Sequence, residues 1–436
     1  MAFVSGLVLG VGELVRLDLV LDLALLMPVL AWLWVKRQPG VAAWLAGALL
    51  GLGLGALDGL FVTWPYVVGN KDSVKLAVTA FGVSSLVSFL LAAAVRRWGF
   101  PARAWPVVSA VGAGGVAVVG LALVVRPYVS TVRGDASTPS ADYLSQLQPL
   151  VGLAPDGSRT YAEQSLRWVS WYVGWPLLAA AGVGAVVLVW RVLRGGESRW
   201  LAALPVYVVS AAIQLWRPSI TPDHPYADRR LVVVIVPGVV LLAVWAASAA
   251  TRALSVWAGV WVGRWRRGVV RPVAVAGAGA VVSAVAFVVP AAAATAPVAA
   301  ARTEQGEIAA ANRVCRSLSP ERDTVVLLDD LWVATVREQC RVPAAQMIDS
   351  TPEKLAKVTA DIAATGRVPV IAANGAATLW NVGYDRSVVK SVVVTTSRQD
   401  QQTIVTVPDG TKLLPDLEFW FVRPLNGAGP AAARTG

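Results

Sequence analysis

The side chains best equipped for chemistry gather in one short stretch, RPSITPDHPYADRR at 217–230. It holds the only histidine of the chain, His224, together with Arg217, Arg229 and Arg230 and the carboxylates Asp223 and Asp228. Guanidinium groups grip phosphate oxygens in pairs, and an imidazole can donate to phosphate or move a proton near neutrality. The stretch therefore reads as an anion site for phosphate. The competing reading is internal: Asp223 and Asp228 neutralise the arginines while the prolines shape a tight loop. A second group lies near the N-terminus, where GELVRLDLVLD carries Glu13, Arg16, Asp18 and Asp22. Asp18 and Asp22 are one helical turn apart and face the same way. Asp58 stands near the end of a later apolar run. One histidine and two distant cysteines offer no zinc ligands at metal spacing, so no zinc site is expected.

The elements that must position these groups are apolar helices. Of 436 residues, 56% are hydrophobic and 15% charged, and the mean hydropathy is +0.60. Soluble domains carry about 25% charged residues. The apolar residues form runs near 3–15, 19–35, 41–62, 75–95, 105–125, 168–190, 200–216, 231–250 and 272–299. Most approach the roughly 20 residues that cross a bilayer as helix. The expected fold is an all-α polytopic membrane bundle of about eight or nine spans over residues 1–300. No basic leader with a small-residue cleavage site opens the chain. The net charge of +11 raises the possibility of nucleic-acid binding. That class is excluded, because most Lys and Arg fall in short connectors, where they orient spans.

Those connectors alternate. Lys36 and Arg37, then Arg96, Arg97 and Arg103, then Arg191, Arg194 and Arg199, then Arg252 through Arg271 can all lie on one side. The positive-inside rule makes that side cytoplasmic in a plasma membrane. Residues 16–18, 64–74, 126–167 and 217–230 then lie outside. Residues 253–271, with Trp257, Trp261 and Trp265 at helical spacing, read as an interfacial amphipathic helix on the inner face. Trp64, Tyr66, Trp168, Trp171, Tyr172 and Trp175 read as an interfacial aromatic belt. Gly47, Gly51, Gly55 and Gly59 make a small-residue stripe for close helix packing. Ionisable groups at membrane depth pair with one another or line a polar cavity. For Arg16, Asp18 and Asp58 both readings stand, a salt bridge between helices or a substrate lining.

From about residue 301 charged residues return. A helix is expected over 304–318 and another over 351–365, with Pro352 in its first turn. Strands are expected at 323–328, 368–373, 391–396, 403–407 and 417–422. This predicts a small extracytoplasmic α/β domain over 301–425, followed by an Ala/Gly/Pro-rich tail at 426–436. Both cysteines, Cys315 and Cys340, lie in that domain. An oxidising compartment favours a disulfide between them; two reduced, buried cysteines are the alternative. No G-x-G-x-x-G motif accompanies its strands, so nucleotide binding is not expected there.

The stretch 6–34 (GLVLGVGELVRLDLVLDLALLMPVLAWLW) resembles the middle of GT-C-fold membrane glycosyltransferases that use polyprenyl-phosphate sugars. There a short Gly-rich span ends in an Arg-x-Asp/Glu step and runs into a long span. The Gly-rich span ending near Asn70 continues the match, and RRLVVVIVP at 229–237 resembles their Arg-aromatic-x-x-Pro step. The resemblance covers roughly residues 5–250. It implies transfer of a sugar from a polyprenyl-phosphate carrier at the outer face, for cell-envelope glycan assembly. Partners would be that lipid-linked sugar and the membrane. By motif, Asp18 would be the catalytic carboxylate and Arg16 would line the cavity with Asp58. Arg229 and Arg230 would hold the lipid phosphate, with Arg217, Asp223 and His224 around them. A divalent metal ion is the cofactor the family's carboxylate can hold. Leu17 stands where the family has Pro, and Leu231 replaces its aromatic residue. The family's acidic first outer loop would lie upstream of Met1. An upstream segment, a partner, or a non-catalytic role each accommodates that. The alternative class is a membrane transporter or flippase for lipid-linked sugars, or an envelope-assembly protein.

Overall fold

The computed structural model describes residues 1–14, 19–218, 231–265, 272–299, 305–384, 389–394, 397–399, 404–407, 411–413 and 417–424. The chain divides into two units, one of residues 1–295 with 402–407, the other of 296–401 with 408–436. Arg16, Asp18, Asp223, His224, Arg229 and Arg230 fall outside the described residues, as does the tail 426–436.

The first unit is helical. Its helices are α1 (Ala2–Val11), α2 (Leu19–Val35), α3 (Val41–Phe61), α4 (Trp64–Gly69), α5 (Lys71–Trp98) and α6 (Trp105–Val129). They continue with α7 (Pro139–Leu150), α8 (Ser165–Val173), α9 (Trp175–Leu193), α10 (Ala203–Trp216), α11 (Val236–Trp265) and α12 (Pro272–Ala299). Among the described residues six helices are long and apolar enough to cross a membrane, and α1, α2 and α10 are shorter apolar helices. Leu76, Leu86, Leu90 and Leu91 on α5 and Val281, Val282 and Val288 on α12 are each more than 60% exposed. Water would not tolerate so continuous an apolar surface; lipid matches it.

Local sequence explains the closest packing. A side chain on Gly6 would meet the Trp44 carbonyl at 2.0 Å, and one on Gly47 the Phe3 carbonyl at 2.1 Å. Gly10 and Gly51 are equally tight against the same pair of backbones, at 2.4 and 2.5 Å. The stripe read from Gly47 and Gly51 thus seats α3 on α1. Pro28 inside α2 has no N–H for the Ala24 carbonyl. The Ser84 hydroxyl of α5 donates to that carbonyl at 2.6 Å, so the helix pair repairs the defect.

Several expectations are corrected. The run 168–190 is not one span: α8 and α9 are separate, broken at Gly174 (φ +75°), with Pro176 opening α9. Trp168 and Trp171 are not belt residues, being 0% and 9% exposed in the core. Trp64, Tyr66 and Trp175 remain about half exposed or more. Residues 253–265 do not start a new helix but continue α11 without a break. Residues 126–167, read from sequence only as an outer segment, hold α7 and a short Ala162–Gln164 turn.

The second unit is a mixed sheet with helices on both faces. Its elements are α13 (Glu307–Ser317), β1 (Asp323–Leu327), β2 (Ala344–Gln346), α14 (Pro352–Ala364), β3 (Val368–Ala373), α15 (Ala376–Asn381), β4 (Lys390–Val394) and β7 (Leu417–Val422). The strand order is β2-β1-β3-β7-β4, with β1 parallel to β2 and β3, and β7 antiparallel to β3 and β4. Alternation divides the strand residues between two cores. Val325, Leu327, Val370, Ala372 and Phe419 pack with Val314 and Trp332 on one face. Val326, Ile371 and Val422 pack with Leu355 and Leu379 on the other. Cys315 and Cys340 form a disulfide with an S–S distance of 2.05 Å. A separate hairpin pairs β5 (Ser397–Gln399) with β6 (Thr411–Leu413). The strand expected at 403–407 is absent where described: residues 404–406 are bends, and Ile404 is buried in the first unit's core.

Candidate functional site

Contacts at helix termini determine which ends of the bundle lie together. Trp32, late in α2, meets Trp105 at the start of α6 with ring centroids 5.1 Å apart. Arg96, late in α5, lies 4.8 Å over the Trp34 ring. At the other end of α6, Arg126 donates to the carbonyl of Trp216, the last residue of α10, at 2.6 Å. Hence α6 and α10 run parallel and α2 runs against both. Leu19, which opens α2, and Arg217, which follows α10, lie at the same end. The Ser210 hydroxyl of α10 donates to Asp22 of α2 at 2.6 Å and joins the two helices directly. The described residues that border the candidate stretches in the chain, Leu19 and Arg217, therefore lie at one end of one helix pair. The opposite end gathers Lys36, Arg96 and Arg97, as the connector alternation expects.

The start of the 217–230 loop is built with unusual care. A helix leaves its last carbonyls without partners. Here the Ser165 hydroxyl donates to the Leu215 carbonyl at 2.5 Å, while Arg126 takes that of Trp216 and stacks 4.4 Å from its ring. Arg126 is 9% exposed and also reaches the Ala162 carbonyl at 3.4 Å. Next to Ala162, Glu163 is 2% exposed. It accepts from Arg159 at 2.6 Å and from the Val132 N–H at 3.1 Å. Arg159 lies 4.5 Å over the Tyr161 ring, and buried Gln148 donates to the Tyr161 hydroxyl at 3.1 Å. In the same segment the Ser158 hydroxyl, opposed by burial and helped by Arg133, holds the Asp156 carboxyl below its usual range. Ser137, through its N–H and hydroxyl, does the same for Asp135. At the far end of the loop, Leu231 and Ile235 are 1% exposed and anchor the turn that leads into α11.

Of the site residues expected from sequence, Asp58 and Arg217 are described. Asp58, half-buried near the end of α3, accepts from the Thr63 hydroxyl at 3.1 Å. Arg217 is exposed, with its N–H bonded to the Ile213 carbonyl at 2.9 Å. Beside this end an apolar cleft of about 400 Å³ is lined by Arg167, Trp171, Gly174, Trp175, Pro290 and Val407. Trp168, behind it, donates to the Ile404 carbonyl at 3.1 Å. Sequence reasoning missed Arg126, Arg159 and Glu163; the arginine directly at the end of the apolar run 105–125 was the available signal. Among the described residues no three carboxylate, imidazole or thiolate groups gather as a metal site would need.

In the second unit, polar groups at the carboxyl ends of β1 and β3 satisfy one another. Asp329 accepts from the Asn374 N–H at 2.5 Å, and the Asn374 side chain accepts from the Glu418 N–H at 3.1 Å. Trp420 donates to the Glu418 carboxylate. Comparison with family models, with curated proteins and with solved structures finds no match to this chain.

Proposed function

We propose that this chain is a GT-C-like integral membrane protein that binds a sugar carried on a polyprenyl phosphate, and presents or transfers it at the outer face for envelope glycan assembly. The observation that carries the reading is that Leu19 and Arg217, which border the two candidate stretches in the chain, lie at one end of the α2–α10 pair, which the Asp22–Ser210 and Arg126–Trp216 bonds fix. Those two residues border the motifs on which the resemblance rests. Arg229 and Arg230 would grip the lipid phosphate, Arg217 and His224 would donate around it, and Asp223 would orient them. Arg16 and Asp58 would line the sugar's path, and Asp18 would be the carboxylate nearest the reacting centre. The neighbouring apolar cleft supports the reading, because a polyprenyl chain needs an apolar path beside a charged head.

The test is binding of a radiolabelled polyprenyl-phosphate sugar to the purified full chain in lipid vesicles. Arg229→Ala with Arg230→Ala should lower affinity at least tenfold and leave elution as a folded species unchanged. Unaltered binding by that folded variant refutes the phosphate role. Residue 224 should be labelled by an impermeant thiol reagent in intact cells carrying H224C. Labelling only after lysis would invert the topology.

A further inference from the structure

We propose a second, separate anion site at the basic end of the bundle, where α9 and α11 hold the phosphate head of an anionic phospholipid. A cavity of about 480 Å³ there is lined by Arg191, Ala249, Arg252, Ala253, Val256 and Trp257. The proposal rests on the membrane reading of the helical unit and is independent of the sugar-carrier site.

Three observations converge. The first is depth. Both helices begin at the loop end and run parallel: a side chain on Gly184 would meet the Leu242 carbonyl at 2.6 Å, and Arg191 lies 5.5 Å over the Trp245 ring. From Leu231 to Arg252 the turn at 231–235 and α11 together rise roughly 30 Å, at about 1.5 Å per residue along α11. A bilayer's hydrocarbon core is about 30 Å thick. The cavity thus stands at headgroup level of the leaflet opposite the loop.

The second is charge. Arg252 makes no side-chain hydrogen bond or ion pair among the described residues, and its guanidinium is exposed beside the cavity. Arg191 reaches Glu197 only at 3.8 Å, while Arg199 holds that carboxylate at 2.9 Å. Two guanidinium groups one cavity apart, with donors to offer, fit a phosphodiester. The third is the wall. Ala249, Ala253, Val256 and Trp257 are apolar, and Val256 and Trp257 are 68% and 64% exposed. A free phosphate ion gains nothing from such a wall, whereas the upper acyl chain of a lipid does. A tryptophan at this level also fits the headgroup boundary. Basic pockets between spans bind lipid heads in this way.

The test uses the full chain purified in mild detergent, with phosphatidylglycerol retention measured by native mass spectrometry and by titration in nanodiscs. Arg191→Gln with Arg252→Gln should weaken retention at least tenfold. Arg97→Gln with Arg194→Gln removes the same charge from the same end and should change it less than twofold. Equal loss in both pairs would overturn the proposal, since it would show diffuse charge attraction. Displacement of the lipid by millimolar inorganic phosphate would overturn the lipid assignment in favour of a free-anion site. Arg252→Gln alone guards against misfolding, because that exposed side chain has no described partner to lose; unchanged retention in this variant would refute the site.

Discussion

Replacing Arg126 by Met probes the link between the packed helices and the candidate loop. Met has similar bulk and no charge. The variant loses a charge-assisted bond to the Trp216 carbonyl at 2.6 Å and a stacking contact at 4.4 Å. A bond to a charged donor contributes about 1.5–3 kcal/mol, and the stacking adds roughly 0.5–1 kcal/mol. The weaker reach to Ala162 at 3.4 Å adds little. A loss of about 2–4 kcal/mol at the end of α10 makes local opening roughly 30- to 700-fold more frequent, at about 1.4 kcal/mol per tenfold. The amide of Arg217, bonded to the Ile213 carbonyl at 2.9 Å, reports on that turn. Hydrogen exchange of a peptide spanning 209–218 in nanodiscs should accelerate by that factor, while peptides from α3 and α5 should not change. Unchanged exchange at 209–218 in a folded Arg126→Met protein would refute the idea that this arginine holds the start of the loop.

Other perturbations test the packing and the second unit. Gly47→Val places atoms where a first carbon already meets the Phe3 carbonyl at 2.1 Å, so α1 must leave α3; the variant should melt well below the parent, and Gly53→Ala, in open space, should not. Cys315→Ser with Cys340→Ser opens a closure of sequence separation 25 and should cost the second unit about 3–4 kcal/mol in denaturant unfolding. An unshifted midpoint would contradict that. The Tyr384 hydroxyl is buried without a hydrogen-bond partner among the described residues, so Tyr384→Phe should stabilise by roughly 1 kcal/mol. Burial also pushes that phenol up to about 12. Its folded value lies above the unfolded one near 10, so its contribution is whole below about pH 10 and fades as pH rises towards 12. Melts between pH 9 and 11.5 should show a loss in the parent that Tyr384→Phe lacks.

Much of the architecture was legible because its causes are local. Apolar runs of membrane length, arginines in alternating connectors, the glycine stripe at Gly47 and Gly51, and Pro352 opening α14 all act within a few residues of themselves. What escaped depends on distant partners. Trp168 and Trp171 look like belt residues until α8 is seen to turn away at Gly174 and bury them. Arg126 stands just past the apolar run 105–125, and its acceptors at Ala162 and Trp216 are far along the chain. Pro28 looks like a kink, while the Ser84 hydroxyl that repairs it sits on another helix. Residues 403–407 alternate like a strand, yet Ile404 is buried among helices, because a buried apolar residue satisfies packing in either setting. The ends of the 217–230 loop follow the same rule, being held by Ser165, Arg126 and the buried Leu231.

The central claim is that a lipid phosphate binds where α2 and α10 meet. Photo-crosslinking with a polyprenyl-phosphate probe carrying a diazirine near the phosphate, followed by peptide mapping, tests it directly. Adducts should concentrate in peptides covering 15–26 and 210–235, compete with unlabelled polyprenyl-phosphate sugar, and fall with Arg229→Ala and Arg230→Ala. Adducts confined to the basic end, or to the second unit, would contradict the account.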